Sequence, residues 1–272
     1  MQRAYQAEPD AELPQASSSY GYSSLDRHQC AEADLAGEAA LALSYNGINQ
    51  AVMLVSPQHL KDFVLGFSFS EGIIESINDI YDLELSATQG GWQAEITLSS
   101  RRLFALKQRR RQLSGRSGCG LCGIEALDAA LAPLPALTPA ALPPIEHLQG
   151  LRASLPHWQP LGQHCGAVHA ALWMDASGQI QASREDIGRH NALDKLIGTL
   201  LQTGQPQPSG CLILTSRCSL ELVQKAIRAG FTTLISLSAP TSLAVDQARR
   251  YGLNLIHIPA QAGPRVYHAA LG

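Results

Sequence analysis

Long hydrophobic runs are missing from this sequence. No stretch approaches the roughly 18–20 uninterrupted apolar residues of a membrane span. The opening MQRAYQAEPDAEL lacks the apolar centre of a signal peptide. A cytoplasmic location is the expectation, with neither a membrane nor a nucleic acid as partner. Cysteine is sparse and scattered, six in 272 residues, too few for a disulfide scaffold, so reduced thiols are expected. A Walker loop is absent, and no Gly-x-Gly-x-x-Gly directly follows a strand at the head of a βαβ unit, which leaves ATP or NAD use without support. Charged residues make up only 16%, but 45% are hydrophobic, enough apolar material for a core and too much for wholesale disorder.

Acidic residues are missing from one long window. Between Glu95 and Glu125 there are none, while Arg101, Arg102, Lys107, Arg109, Arg110, Arg111 and Arg116 all fall there. Within a net charge of −3 this is a strong local excess. A solvated basic helix face is the ordinary reading of such a run. Here it leads straight into a Cys-x-x-Cys, which points to function.

Residues 1–37 are polar and without sustained period, and read as a flexible tail. Residues 39–45 and 50–55 flank Asn46-Gly47, a dipeptide that supplies positive φ in a tight hairpin turn. Pro57 opens a helix with Leu60, Phe63, Val64 and Phe67 at helical spacing, ended by Glu71-Gly72. Residues 81–86 and 92–98 read as strands, and 124–131 as a short helix. Five prolines between 133 and 144 exclude helix and central strand. They place a linker at 133–145, between an N-terminal α+β unit (38–132) and a second unit (146–272). In that second unit, strands at 167–174 and 179–182 precede a helix at 191–201. Then runs at 211–215, 233–237 and 253–258 alternate with helices at 220–229 and 242–251. This alternation predicts a parallel sheet covered by helices. Such a sheet binds ligands at the carboxyl ends of its strands, here 215–217, 238–241 and 259–263.

Gly118-Cys119-Gly120-Leu121-Cys122-Gly123 combines backbone freedom with two accessible thiols. The start of a following helix and the basic run both favour thiolate. Several readings compete. A structural zinc site needs about four ligands, and Cys30, Cys165, Cys211 and Cys218 form no second knuckle, although Cys211 and Cys218 lie seven apart across a strand end. A thioredoxin-type exchanger would carry the pair after the first strand of a βαβ unit. A zinc deaminase needs His-x-Glu and Pro-Cys-x-x-Cys; none of the nine histidines begins a His-x-Glu, and Gly118 stands where the proline belongs. A sulfur carrier and an inert exposed pair stand beside the zinc and exchanger readings. No bound metal is expected.

The densest polar cluster runs from Ser183 to Lys195. One reading is a salt-bridged loop fastening a helix to the sheet. The other is a ligand pocket, in which Arg184 and Arg189 clamp phosphates and Asp186 or Asp194 reads a purine edge. In that pocket Asn191 caps the helix, Asp194 and Lys195 lie in its first turn, and His190 is by itself a hydrogen-bonded structural histidine.

Four blocks in order carry a resemblance. The first is Glu38-Ala39-Ala40-Leu41, Asn46-Gly47, Met53, Ser56-Pro57, Leu65-Gly66-Phe67 and Glu71-Gly72-Ile73-Ile74. The second is the cysteine loop, the third Arg184-Glu185-Asp186-Ile187-Gly188-Arg189-His190-Asn191-Ala192-Leu193-Asp194-Lys195, and the fourth Ala239-Pro240-Thr241-Ser242-Leu243-Ala244. With these the chain resembles the FdhD family, the accessory sulfurtransferases of formate dehydrogenase. The resemblance implies a dimeric carrier with a cytidine-deaminase-like α/β fold that lacks the deaminase zinc. It would take sulfane sulfur from a cysteine desulfurase as a Cys119 persulfide, with Cys122 as partner. It would pass that sulfur to the molybdenum bis(molybdopterin guanine dinucleotide) cofactor of formate dehydrogenase. The cofactor would lie against the 184–195 block, Ser216 and Arg217, and the segment Ile258-Pro259-Ala260-Gln261-Ala262-Gly263. Two departures stand out. Ser216-Arg217 replaces the family's Gly-Arg, and the aromatic-Arg-Gly element before Asn-Val-Tyr is missing, with Arg265 of Pro264-Arg265-Val266-Tyr267 offered in its place.

Overall fold

The computed structural model describes residues 16–23, 30–114, 133–204 and 209–271. Cys119, Cys122, Arg116 and the expected 124–131 helix lie outside the described residues.

The N-terminal unit is a four-stranded sheet in the order β4-β3-β6-β5, built from β3 (Ala39–Tyr45), β4 (Ile48–Val55), β5 (Ile80–Thr88) and β6 (Gly91–Leu98). Asn46 (φ 49°) and Gly47 (φ 74°) close the β3–β4 hairpin with both residues left-handed, the turn the dipeptide predicts. Helix α1 (Leu60–Ser70) lies on this sheet and α2 (Ser100–Ser114) follows β6. Alternating apolar residues of β3 and β6 meet Leu60, Phe63, Val64 and Phe67 of α1 in one core.

The second unit is a six-stranded sheet in the order β12-β11-β10-β9-β7-β8. Its strands are β7 (His169–Met174), β8 (Ile180–Asp186), β9 (Cys211–Leu214), β10 (Thr233–Ser236), β11 (Asn254–His257) and β12 (Arg265–His268). The central β9, β10 and β11 are parallel, as the alternation predicted. The other strands make the sheet mixed: β7 is antiparallel to β8 and β9, and β12 to β11. Hence β8, β9, β10 and β11 all end at one edge. Helices α3 (Ile145–Leu148), α4 (Leu151–Ser154) and α5 (Pro160–Cys165) precede β7; α6 (Arg189–Gln202), α7 (Leu220–Arg228) and α8 (Ser242–Tyr251) follow. One sheet face packs on α6, α7 and α8, the other on α3 and α4. Fully buried leucines such as Leu193 and Leu196 each contribute about 1.5–3 kcal/mol to this packing.

The two units are joined helix to helix. Gly66 of α1 and Gly198 of α6 bring the two backbones together: a Cβ on Gly66 would lie 1.7 Å from the Asp194 carbonyl oxygen, and one on Gly198 1.9 Å from that of Asp62. Only hydrogen fits at either position.

Three expectations change. Residues 1–37 are not uniformly unstructured, because β1 (Ser17–Ser23) and β2 (Cys30–Ala36) form an antiparallel hairpin. Register places Ser18, Tyr20 and Tyr22 opposite Leu35, Ala33 and Ala31, giving one apolar face, while Ser19 donates to Glu32 on the other. The proline-rich 133–144 segment has no regular structure, as its prolines require. It is nevertheless packed down: the Leu134 amide donates to the Tyr251 hydroxyl, and Asn254 Nδ2 donates to the carbonyls of Ala140 and Ala141. Strand β8 continues to Asp186 instead of stopping at 182, since the carboxylates of Glu185 and Asp186 both receive backbone amides.

Candidate functional site

The polar block divides into a fastener and a part that lines a cleft. Lys195 is 0% exposed, and its Nζ lies 2.6 Å from Asp186 Oδ2 while donating to the carbonyls of Ser56 and Glu185. Asp186 also accepts the Ser56 and Gly188 amides and Asn191 Nδ2, and that same Nδ2 donates to the Leu54 carbonyl. Arg184 Nε donates to Asp62 Oδ2 at 2.7 Å, and Asp62 accepts Thr199 and Gln202 as well. Every one of these bonds to residues 54–62 crosses from the α6 region to the N-terminal unit. Arg184, Asp186, Asn191 and Lys195 are therefore consumed by protein partners, which is the fastening role. Asn191 does not cap α6. Gly188 is the N-cap residue, and Asn191 sits in the first turn with Asp194 and Lys195 one turn on.

His190 and Asp194 instead line a cleft of about 330 Å³ between the end of α1, α2, α6 and α7, with Arg109, Glu221, Lys225 and Arg228. Lys225 Nζ lies 2.6 Å from Asp194 Oδ2, and His190 Nε2 2.8 Å from Glu221. Burial pushes the Asp194 carboxyl up, with Lys225 opposing, and pulls the His190 imidazole down, with Arg189 adding to the effect. A larger cavity of about 470 Å³ lies between Ile77, Leu137, Leu201 and Ile227. It holds none of the residues singled out from the sequence.

The carboxyl edge of the six-stranded sheet carries a row of cations and imidazoles. His169 opens β7 opposite Asp186, the end of β8; Arg189 begins α6, and Arg217 follows β9, exposed. His257 closes β11 opposite Arg265 of β12. Arg152 Nη1 donates to the carbonyls of Leu237 and Ile258 at 3.0 and 2.8 Å. Burial, then Arg189 and Arg217, pull the His169 imidazole below its usual range. Burial, then Arg265 and Arg152, do the same to His257. The Asp186 carboxylate at this edge is already taken by Lys195, and the buried Arg189 Nε and His257 Nδ1 have no partner among the described residues. Strand spacing puts the two histidines, three strands apart in the sheet order, about 14 Å from one another. Such an arrangement attracts anions.

The remaining expected residues distribute along this edge. Ser216 is buried, its hydroxyl donating to the Arg217 carbonyl. Ile258 is buried, Pro259 half-buried, and Ala260, Gln261, Ala262 and Gly263 are exposed. His169, His257, Arg152, Asp62 and Ser56 were missed as site or fastening residues. Nothing local marks them, because strand register and the α1–α6 crossing alone assemble them.

The thiols divide too. Burial pushes Cys211 and Cys218 up to about 12, and they occupy cores on opposite faces of the sheet, so they cannot share a metal ion. Cys165 is half-buried against the Leu161 carbonyl. Among the described residues no group of three His, Cys, Asp or Glu could hold a metal, and no helix is long and apolar enough to cross a membrane.

The model of the FdhD/NarQ family matches residues 36–271. A protein of Cupriavidus necator named sulfur carrier protein FdhD is 43% identical over 237 residues, covering 87% of this chain and 82% of that one. The crystal structure of a protein described as a formate dehydrogenase accessory protein, from Desulfotalea psychrophila, superposes with a TM-score of 0.69 at 23% identity. That match spans 93% of this chain and 96% of the other, and it is a likeness of fold.

Proposed function

The chain belongs to the FdhD/NarQ family, and from that premise we propose that it is a sulfur carrier in the maturation of formate dehydrogenase. A cysteine desulfurase is the donor. The Cys119 thiolate attacks the outer sulfur of the donor's persulfide, and the donor S–S bond breaks with its electron pair left on the donor thiolate. Cys119 then holds a persulfide, with Cys122 as the second thiol of the loop. The sulfur passes to the molybdenum bis(molybdopterin guanine dinucleotide) cofactor, here a substrate, before that cofactor enters the dehydrogenase catalytic subunit. Delivery as sulfide reduces the sulfane sulfur by two electrons, and oxidation of the metal from Mo(IV) to Mo(VI) supplies them. A homodimer and the cytidine-deaminase-like classification belong to the same proposal.

The observation that carries the cofactor half of this reading is the sheet edge: two imidazoles about 14 Å apart, His169 in the field of Arg189 and Arg217 and His257 opposite Arg265 in that of Arg265 and Arg152. A ligand with two phosphate-bearing arms needs two such places. The buried environments of Cys211 and Cys218 disfavour their thiolates, and a 43% identical relative bears the carrier name; both support the reading.

Cys119→Ala, tested in cells lacking the native protein, is expected to abolish formate dehydrogenase activity. The purified variant should melt like the wild type and still bind a guanine nucleotide. If a Cys119 and Cys122 double substitution sustains activity, the protein is a cofactor-binding chaperone and the carrier reading is wrong.

A further inference from the structure

The acid-free window resolves into two kinds of cation. The carbonyls at the end of α1 and in the segment just after it are taken by arginines in succession. Arg228 Nη1 donates to the Ser70 carbonyl, Arg109 Nη1 to that of Glu71, and Arg102 to those of Gly72 and Ile73. Arg101 is paired with Glu75 and Asp79, and Arg110 reaches the Asn49 carbonyl. Arg101, Arg102, Arg109 and Arg110 of the basic run are thus structural, and Arg102 and Arg109 lie near the negative end of α1.

What is left lies on the outer face of α2. Lys107 and Arg111 are exposed, and among the described residues neither has a carboxylate partner. On the same side of the helix, three and seven residues earlier in the chain, stands Phe104, 61% exposed. At about 100° per residue, positions 104, 107 and 111 share one stripe, roughly 10 Å long. Leu106 and Arg102 point the opposite way, into the protein. Among the described residues this exposed phenylalanine beside two cations belongs to no core cluster. Arg111 is eight residues before Cys119, so even a fully extended tether keeps the cysteine within about 30 Å of the stripe. A macromolecule that engages Cys119 therefore has the stripe within about 30 Å.

We infer that the Phe104–Lys107–Arg111 stripe is the docking surface for the protein that loads sulfur onto Cys119, whose complementary face carries carboxylates around an apolar notch. The inference rests on the carrier reading. Charge complementarity selects an acidic partner and sets the association rate, while the aromatic ring supplies the buried anchor that such interfaces centre on. The sulfur acceptor is a different partner and would approach the sheet edge, on the evidence of its phosphates alone.

The test follows persulfide formation on the full-length chain by mass spectrometry, with a cysteine desulfurase and L-cysteine as the probe. The wild type is compared with Phe104→Ala and with Lys107→Glu/Arg111→Glu. Both variants alter exposed side chains, and matching thermal melts confirm that they fold. The charge-reversal variant is expected to load about tenfold more slowly at low salt, with the gap closing near 0.5 M salt. Phe104→Ala should load more slowly at every salt concentration. Loading by inorganic polysulfide, which needs no docking, should be equal in all three. If the wild type itself is not loaded by the desulfurase, the carrier reading fails. If the wild type is loaded and both variants match it, the carrier reading stands and the docking surface is refuted.

Discussion

Removing the Lys195 ammonium tests whether the polar block is a fastener. In Lys195→Met the side-chain volume is kept, but the buried Asp186 carboxylate loses the cation 2.6 Å away. Breaking a buried ion pair from one side typically costs about 3–5 kcal/mol. Asp186 still accepts the Ser56 and Gly188 amides and Asn191 Nδ2, which hold part of its charge, so the lower end, about 3 kcal/mol, applies. For a chain of this size that lowers Tm by about 6–12 °C. Adding Asp186→Asn removes the stranded charge while keeping an acceptor for the amides, and is expected to recover part of the loss. Circular dichroism melts near neutral pH measure both. Below the melting range, guanine nucleotide affinity of Lys195→Met should equal that of the wild type, because Lys195 faces no cleft. A Tm within about 2 °C of wild type together with lost nucleotide binding would refute the reasoning and make Lys195 a ligand residue.

Gly66→Ala drives a methyl into the Asp194 carbonyl and should cost about 3 kcal/mol or more, seen as a lower Tm or insoluble protein; Gly90→Ala, with open space around it, is the neutral control. Arg217→Ala should weaken guanine nucleotide binding by about 1.5–3 kcal/mol, roughly ten- to hundredfold in Kd, in titration calorimetry. His169 and His257 are neutral in the fold because burial and the flanking arginines lower their pKa. Stability is therefore complete above the unfolded value of about 6.5 and is lost as pH falls from there through the folded values. A bound pyrophosphate opposes the arginines and raises both histidines, so its affinity should increase between about pH 7.5 and pH 6; an unchanged affinity would remove the histidines from the site.

Much of this fold is legible residue by residue. Asn46-Gly47 announces its turn because few other dipeptides hold two left-handed residues, and the βα alternation after residue 211 fixes the parallel core. Charge misled at β8: Arg184, Glu185 and Asp186 look like a loop, yet strand backbone tolerates them since each finds a partner from a distant segment. The β1–β2 hairpin was hidden by serine-rich composition, its apolar residues few enough to escape a period of two. For the site, the density of polar residues at 184–195 was visible, but its division was not. Which carboxylate is spent on a lysine and which arginine is free depends on Ser56 and Asp62, more than 120 positions away. The basic run was legible as charge, while its split into arginines that bond the carbonyls after α1 and two cations without a carboxylate partner among the described residues required the end of α1 to be in place.

The central claim is that Cys119 carries sulfur. Intact-mass spectrometry after incubation with a cysteine desulfurase and L-cysteine, followed by peptide mapping, tests it most directly. The account predicts a reducible gain of one sulfur atom on the Cys119 peptide, absent in Cys119→Ala. Thiols left unmodified in a protein that still binds guanine nucleotide would contradict it.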